Sequence, residues 1–465
     1  MKGRDLKKDV LEKKDTSSAS QGDSAQVGGD RSKPLDRRSF LKSVGAFGAA
    51  AAFVSSQGFQ VAKARPHFRF VGDLTDEQLI DMQRKMLRAR WYDRIVADKQ
   101  AFEDGYRGYG HFACGHEGVV AGVSAALRRD DWIQGYHRSH HHGIAKGADL
   151  RGMAAEIAFK ATGVNKGYGG SMHIMQKDVG MLGEDGIVGP GGVIGAGAAF
   201  GMKARGTDQV AVTYGGDAHA STPFFQMGLN NAARHKLPFI YVVERNGYQI
   251  QQPWRGEAYR YPGVTFTAQS HLDSITPIGE AYKVPSYQVD GMNALEVYEV
   301  AKAAVDRARA GDGPTLIEAM CYRYYDHFGT GGVREEGTMG AFGLPYRSDR
   351  EVRHWLARDP IPMLRQTLIN WGVMTDAEAD ELEADVRGEV EEAFDFADQS
   401  PVPDARDGIK HVYREGVVLP RQLADCPLYV EGWVEGTPVP ANFPEFSVGR
   451  LPASASKVVI DPEAV

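Results

Sequence analysis

Residues 209–248 read QVAVTYGGDAHASTPFFQMGLNNAARHKLPFIYVVERNGY, and this stretch determines the fold class. It begins with a short apolar segment, 209–214, which is predicted to be a β-strand and is followed by a Gly-Gly-Asp turn at 215–217. A helix is predicted from Thr222 to His235, and a second apolar strand from Phe239 to Val243. Because a strand, a helix and a strand in this order are typical of a parallel sheet, we expect an α/β fold.

The same alternation continues on both sides of this unit. Upstream, helices are predicted over 74–93 and 113–128. Downstream, a helix over 294–310 precedes a candidate strand over 315–322, and a final helical pair spans 351–397. We therefore predict a parallel sheet that is flanked by helices on both faces.

The N-terminal residues are predicted to be an export signal rather than part of the fold. Residues 1–36 are rich in Lys, Asp, Ser and Gly, so we expect a disordered leader. Residues 37–64 begin with the pair Arg37-Arg38, continue through an apolar run at 44–54 and reach an Ala-Lys-Ala site, which resembles a twin-arginine signal. The run is shorter than the roughly 20 residues of a membrane span. We expect a periplasmic or membrane-tethered protein, with a cytoplasmic location as the alternative.

The remaining chain divides into a domain over 65–400 and a proline-containing C-terminal arm over 401–465, which either wraps a neighbour or stays flexible. The net charge of −7 argues against a general nucleic-acid binder. Three cysteines, Cys114, Cys321 and Cys426, form no Cys-x-x-Cys pair. They are therefore interpreted as ordinary thiols rather than a disulfide framework or zinc site.

Two polar residues follow the two strands of the central unit. Asp217 follows the first strand and Asn246 follows the second. Ligands of open parallel sheets bind beyond the carboxyl ends of the strands, so these side chains are expected to lie side by side. Oxygen ligands of this kind suit Mg²⁺ bound to a phosphate group, and the helix that begins near Thr222 adds partial positive charge there.

The segment Gly216-Asp217-Ala218, followed by Arg245-Asn246-Gly247-Tyr248, resembles the thiamine-diphosphate motif, GDG and then NN about thirty residues later. Ala218 replaces the second Gly of that motif and Arg245 replaces its first Asn. Five further segments resemble, in order, the α subunits of 2-oxo acid dehydrogenase E1 components: 115–118 (GHEG), 137–140 (HRSH), 169–173 (GGSMH), 186–197 (GIVGPGGVIGAG) and 313–324 (GPTLIEAMCYRY). The sequence is therefore similar to the pyruvate, branched-chain 2-oxo acid and acetoin dehydrogenase E1 α subunits.

This resemblance implies thiamine diphosphate and Mg²⁺ as cofactors. It implies that Asp217 and Asn246 donate side-chain oxygens to Mg²⁺ and that Tyr248 donates its backbone carbonyl. It also implies a set of cofactor-binding residues, which comprises these three metal ligands and His111, His137, Arg138, Gly186, Val188, Ala218, His219 and His327. His327 and His140 are the candidates for catalytic proton transfer, because imidazole titrates near neutral pH.

The resemblance further implies a partner subunit. The Glu that activates the aminopyrimidine in this family comes from an E1 β subunit, so we expect an α2β2 heterotetramer that passes the acyl group to a lipoyl-bearing E2 or another acceptor. The substrate is a 2-oxo acid such as pyruvate, or acetoin in the alternative. Phe328 stands where animal relatives carry a phosphorylatable Ser, and His-Phe-Gly is closer to the acetoin-type loop.

Other interpretations stay open at this point. A Rossmann dehydrogenase needs an acid about 20 residues after its glycines, and none follows Gly192–Gly197 at that spacing. A catalytically silent cofactor-binding protein would account for Ala218, Arg245 and the insertion at 253–270. Four histidines, His137, His140, His141 and His142, also have the composition of a metal site.

Overall fold

The computed structural model describes residues 70–102, 110–250, 252–253, 260–261, 264–265, 273–329 and 341–404. The predicted leader and twin-arginine segment lie outside the described residues, as do most of the insertion and most of the C-terminal arm. In the described part of the chain, no helix combines the length and apolar character that a membrane crossing needs.

The strands form one parallel sheet and two short antiparallel pairs. They are β1 (Trp132–Gln134), β2 (Ala211–Gly216), β3 (Phe239–Arg245), β4 (Tyr248–Gln249), β5 (Gln252–Pro253), β6 (Arg260–Tyr261), β7 (Val264–Thr265), β8 (Ser286–Asp290) and β9 (Thr315–Met320). The sheet has the order β1-β2-β3-β9-β8, and every neighbouring pair in it is parallel. The strands β4 and β5 pair with each other, as do β6 and β7.

The α-helices cover both faces of this sheet. They are α1 (Asp76–Phe102), α2 (Glu117–Ala125), α3 (His140–Lys146), α4 (Leu150–Ile157), α5 (Gly191–Ala204), α6 (Asp217–Ala220), α7 (Pro223–Arg234), α8 (Thr276–Ala281), α9 (Ala294–Arg309), α10 (Asp349–Leu356), α11 (Pro360–Asn370) and α12 (Asp376–Gln399). Short 3₁₀ turns occupy Phe70–Asp73, Gly170–Met172 and Lys177–Val179.

Alternate residues of the central strands enter two separate cores. Val212, Val242 and Ile317 pack in the larger core with α1, α2, α9 and α12. Tyr241 and Leu316 face the opposite side and pack with α5, α7 and α8. Because both faces are covered, every residue of β3 is buried, as expected for a parallel sheet between two helical layers. The predicted fold class is confirmed.

Two local predictions are corrected. The predicted turn at 215–217 is a strand end, since β2 runs to Gly216 and α6 begins at Asp217. The predicted helical pair over 351–397 is wrong, because three helices lie there. Asp359 caps a new helix with Pro360 in its first turn, and Thr375 begins the next one with a capping box.

Candidate functional site

A cavity of about 180 Å³ lies at the carboxyl ends of the central strands. Asp217 comes directly after β2 and Asn246 directly after β3, whereas Arg138 and Arg323 lie on the segments that follow β1 and β9. The cavity is lined by all eleven residues that the sequence predicted as cofactor-binding: His111, His137, Arg138, Gly186, Val188, Asp217, Ala218, His219, Asn246, Tyr248 and His327.

Asp217 presents a buried carboxylate to this cavity. Its side chain is 1% exposed, and neither carboxylate oxygen has a hydrogen-bond partner among the described residues. Burial raises the pKa of Asp217 to about 7, although the charge of Arg245 and the nearby backbone amides oppose this shift. A buried carboxylate in this state is unfavourable unless a cation compensates it, so the residues present fit a Mg²⁺ ion.

Asn246 and Tyr248 form a tight turn beside this carboxylate. Asn246 Oδ1 accepts a hydrogen bond from the backbone N–H of Tyr248 at 3.1 Å. The intervening Gly247 has φ +87°, a value that glycine adopts without strain. The Tyr248 hydroxyl donates to Glu351 at 2.7 Å. The side chain of Tyr248 is therefore anchored elsewhere, and only its backbone remains as a metal donor.

Two buried arginines form the opposite part of the wall. Arg138 and Arg323 are each 1% exposed, and neither makes a salt bridge within the described part of the chain. Arg138 donates to the carbonyls of Phe112 at 2.6 Å and His327 at 2.9 Å, and Arg323 donates to the carbonyl of Ile250 at 2.8 Å. Burial and then the charge of Arg323 lower the pKa of Arg138 to about 10. Two buried like charges that lack a salt-bridge partner among the described residues fit an anion in this part of the cavity.

Three imidazoles line the cavity next to the arginines. The ring of His111 lies 4.7 Å from that of His137 and 5.0 Å from that of His327, between ring centroids. Burial, followed by the charge of Arg138, lowers the pKa of His137 and of His327. Nitrogens of the three rings lie within 4.8 Å of one another, a spacing seen in metal sites. The two arginine charges beside His327 disfavour a lone cation there, so we interpret the rings of His137 and His327 as neutral hydrogen-bonding groups.

The remaining wall is the turn that carries Gly186 and Val188. Asp185 stabilises this turn by accepting hydrogen bonds from the backbone N–H groups of Ile187 at 2.9 Å and Gly191 at 3.0 Å. The ring of His219 lies next to this turn, and burial lowers the pKa of the imidazole to about 4. The cavity therefore presents backbone groups on this side and charged side chains on the other.

The structure does not bring His140 to the cavity. Its Nδ1 lies 2.7 Å from Asp93 Oδ1 and its Nε2 lies 2.9 Å from Ser171 Oγ, in the protein interior. The neighbouring His141 also faces Asp93, at 2.9 Å, whereas His142 lies 3.1 Å from Glu244. The four-histidine metal site is therefore wrong, because His140 and His141 face Asp93, His142 faces Glu244 and His137 lines the cavity. His140 also lacks the contact with the cavity that its predicted catalytic role requires.

Sequence reasoning missed several residues of the wall. The cavity is also lined by Tyr136, Met172, Gly216, Gln249, Ile250 and Arg323. A usable signal existed for Arg323, because it belongs to the matched segment 313–324 and lies just beyond a strand end. No such sequence signal indicated Ile250. This residue has φ +52°, and its carbonyl accepts a hydrogen bond from Arg323.

The two departures from the thiamine-diphosphate motif leave the site intact. Arg245 points away from the anion site and forms a salt bridge with Glu318 at 2.7 Å. Ala218 lines the cavity without filling it, next to Asp217. Neither substitution removes a group that the site needs, so they give no support to a catalytically silent protein.

Comparison with known proteins agrees with this geometry. Residues 83–406 match the model of the family described as "Dehydrogenase E1 component". The chain is 40% identical, over 73% of its length and 95% of the relative's, to the α subunit of acetoin:2,6-dichlorophenolindophenol oxidoreductase from Bacillus subtilis. It is 32% identical to the pyruvate dehydrogenase E1 component subunit alpha of Rhizobium meliloti, over 76% and 96% of the two chains. It is 34% identical to that of Zymomonas mobilis, over 70% and 86%. The chain belongs to the dehydrogenase E1 component family, as an α subunit of its thiamine-diphosphate-dependent oxidoreductases.

Proposed function

We propose that this chain, together with an E1 β subunit, Mg²⁺ and thiamine diphosphate, cleaves the carbon–carbon bond next to the carbonyl group of acetoin. The observation that carries the cofactor assignment is the presence of uncompensated charges of both signs in one cavity. Among the described residues, Arg138 and Arg323 lack an anion, and Asp217 lacks a cation. A magnesium diphosphate supplies both, and no single ion does.

Each residue has a specific task in this proposal. Arg138 and Arg323 hold the diphosphate, assisted by His111 and His137 and by the backbone of Ala218 and His219. The metal ligands are the side chains of Asp217 and Asn246 and the backbone carbonyl of Tyr248. Gly186 and Val188 offer backbone groups to the aminopyrimidine ring. When bound, the cofactor supplies a nucleophilic carbon and an electron sink.

His327 is the residue we propose for proton handling. Its Nδ1 lies 3.4 Å from a guanidinium nitrogen of Arg138 and 3.4 Å from one of Arg323. These two donors favour a lone pair on Nδ1 and leave the proton of the neutral ring on Nε2. His327 is therefore set to donate a hydrogen bond from Nε2 to a substrate oxygen. His140 has no part in this step, since it lies in the interior.

Acetoin is favoured over pyruvate by two observations. The chain shares 40% identity with the acetoin relative and 32–34% with the two pyruvate relatives named above. The loop residue Phe328 also matches the acetoin type. Pyruvate remains the second candidate, because the pyruvate relatives align over a similar share of the chain.

An exposed apolar face supports the β subunit as partner. The helices α5 and α7 pack on each other and expose Ile194, Phe200 and Met227, each about half accessible. Ile187, between Gly186 and Val188, is 72% exposed. Large apolar side chains on neighbouring surfaces mark interaction sites. A partner that covers Ile187 would also reach the cavity, where it can supply the missing Glu in an α2β2 assembly.

We also propose that residues 37–64 direct export by the twin-arginine route. The paired Arg37 and Arg38 support this proposal. An exported enzyme would pass electrons to an acceptor other than a cytoplasmic lipoyl-bearing E2, which is in keeping with the dye acceptor in the name of the Bacillus relative.

Calorimetry and a dye assay test the proposed function. The chain co-purified with its β subunit should bind thiamine diphosphate only when Mg²⁺ is present. The loaded complex should reduce 2,6-dichlorophenolindophenol with acetoin faster than with pyruvate. Cofactor binding that is independent of Mg²⁺ would contradict the proposed metal site. Faster reduction with pyruvate would instead move the assignment to the 2-oxo acid enzymes.

A further inference from the structure

The imidazole of His219 lies beneath the turn that carries Gly186 and Val188. It is 1% exposed, and its Nε2 forms a hydrogen bond with the hydroxyl of Tyr241 on β3. Tyr241 is itself fully buried and packs edge-to-face on Phe225, at 4.6 Å between ring centroids. The ring of His219 thus connects the end of β2 with the middle of β3.

Two glycines, Gly215 and Gly191, lie next to the ring of His219. A Cβ on Gly215 would lie 2.5 Å from both Cγ and Nδ1 of His219. A Cβ on Gly191 would lie 3.6 Å from Cε1 of the same ring. Glycine at 215 is therefore required by the ring, whereas a Cβ at 191 would only reach ordinary van der Waals contact with it.

The turn above rests on the same group of residues. A Cβ on Gly189 would lie 2.7 Å from Oγ1 of Thr222, and that hydroxyl donates to the backbone carbonyl of His219 at 2.9 Å. Gly189 has φ +125°, so the chain bends sharply directly after Val188. The turn is therefore coupled through Thr222 to the backbone of His219, and through Gly191, three residues after Val188, to its ring.

We propose that His219 and Tyr241 are positioning residues that fix the turn at Gly186–Val188, and so select the ring portion of the cofactor rather than its diphosphate. This inference rests on the proposed function, in which Gly186 and Val188 bind the aminopyrimidine ring and the arginines bind the diphosphate. The side chains of His219 and Tyr241 support the ring half of the site. The diphosphate half is held by Arg138, Arg323 and backbone groups, including the backbone of His219, which His219→Ala and Tyr241→Phe retain.

Binding of two ligands tests the ring half and the diphosphate half of the site separately. The affinities of the α–β complex for thiamine diphosphate and for inorganic pyrophosphate, both with Mg²⁺, are measured by calorimetry. In Tyr241→Phe the affinity for thiamine diphosphate should fall about threefold to tenfold, the effect of one neutral hydrogen bond. His219→Ala should cause a larger fall. Pyrophosphate affinity should stay within about twofold of the wild-type value in both variants, because other contacts hold the two arginines.

Tyr214→Phe is the matched control. Tyr214 is also a buried tyrosine, but it lies on β2, stacks on His142 and enters the opposite core. Its replacement should leave both affinities unchanged. A double variant, His219→Ala with Tyr241→Phe, should bind thiamine diphosphate no more weakly than His219→Ala alone, since the two groups act together.

Equal losses for both ligands would overturn the inference, because they indicate a general structural effect. Unchanged affinity for thiamine diphosphate in His219→Ala would overturn it as well. If the wild-type complex binds thiamine diphosphate no more tightly than pyrophosphate, the proposed function is wrong. This result concerns the wild type alone, so it is distinct from a failure of the inference, which appears only in the variants.

Discussion

Replacing Asp217 with Asn should stabilise the metal-free protein and abolish Mg²⁺-dependent cofactor binding. The pKa of Asp217 is raised from 3.8 to about 7 because the carboxylate is buried without a partner among the described residues. The folded protein therefore holds this proton more tightly than the unfolded chain does. Stability falls as pH rises from about 4 to about 7, and the full penalty is present above pH 7.

The magnitude follows from the size of this shift. One pKa unit corresponds to about 1.4 kcal/mol. Ionised Asp217 thus lowers the free energy of unfolding by up to about 4 kcal/mol, of which about 2–3 kcal/mol develops between pH 5 and pH 8. The amide side chain of the Asp217→Asn variant carries no charge at any pH. The stability difference between this variant and wild type should therefore grow by that amount over the interval.

The assay is urea unfolding in EDTA at pH 5 and pH 8, followed by fluorescence. Asp93→Asn is the control of opposite sign, because the neighbouring His141 and His140 lower the pKa of Asp93 despite its burial. That variant should be less stable than wild type at both pH values. A stability difference for Asp217→Asn that is the same at pH 5 and pH 8 would refute the reasoning, as would retained Mg²⁺-dependent binding of thiamine diphosphate.

Three further predictions test other parts of the molecule. Arg323→Gln should weaken pyrophosphate binding about tenfold or more, because a charged donor to the anion is lost; unchanged affinity in calorimetry would remove Arg323 from the anion site. Phe200→Asp should shift the α–β complex towards free subunits in analytical ultracentrifugation, since a charge enters an apolar contact; an intact assembly would place the interface elsewhere. The pair Arg37→Lys and Arg38→Lys should leave the protein in the cytoplasm, and normal export on fractionation would contradict the signal.

The sequence alone predicts site residues correctly where the local pattern and the sheet topology indicate the same position. Asp217 and Asn246 were predicted to meet because each follows an apolar strand, and adjacent parallel strands end at the same edge of a sheet. The structure brings both to one cavity. The same reasoning had no means of placing Ile250, because its contribution is a carbonyl that Arg323 reaches across 73 positions of sequence.

His140 shows why proximity in sequence misleads. It lies two residues from Arg138, yet α3 begins at His140, and its ring meets Asp93, which lies 47 positions upstream. A helix start changes the direction of successive side chains, so neighbours in a motif need not share a cavity. The third C-terminal helix was missed for a different reason. Asp359-Pro360 is a helix start signal, and the predicted pair of helices over 351–397 took no account of it.

The charges of the cavity argue that metal and diphosphate bind as one unit. Mg²⁺ alone would meet two buried arginines, and a diphosphate alone would lie near the carboxylate of Asp217. Each ion offsets the repulsion that the other would suffer, so each must raise the affinity for the other by the same factor. The raised pKa of Asp217 has the same origin, because in the absence of the cation protonation removes the cost of burying the charged carboxylate. Below about pH 7 we therefore expect binding of the magnesium diphosphate to displace that proton, so that metal binding, phosphate binding and proton release are coupled.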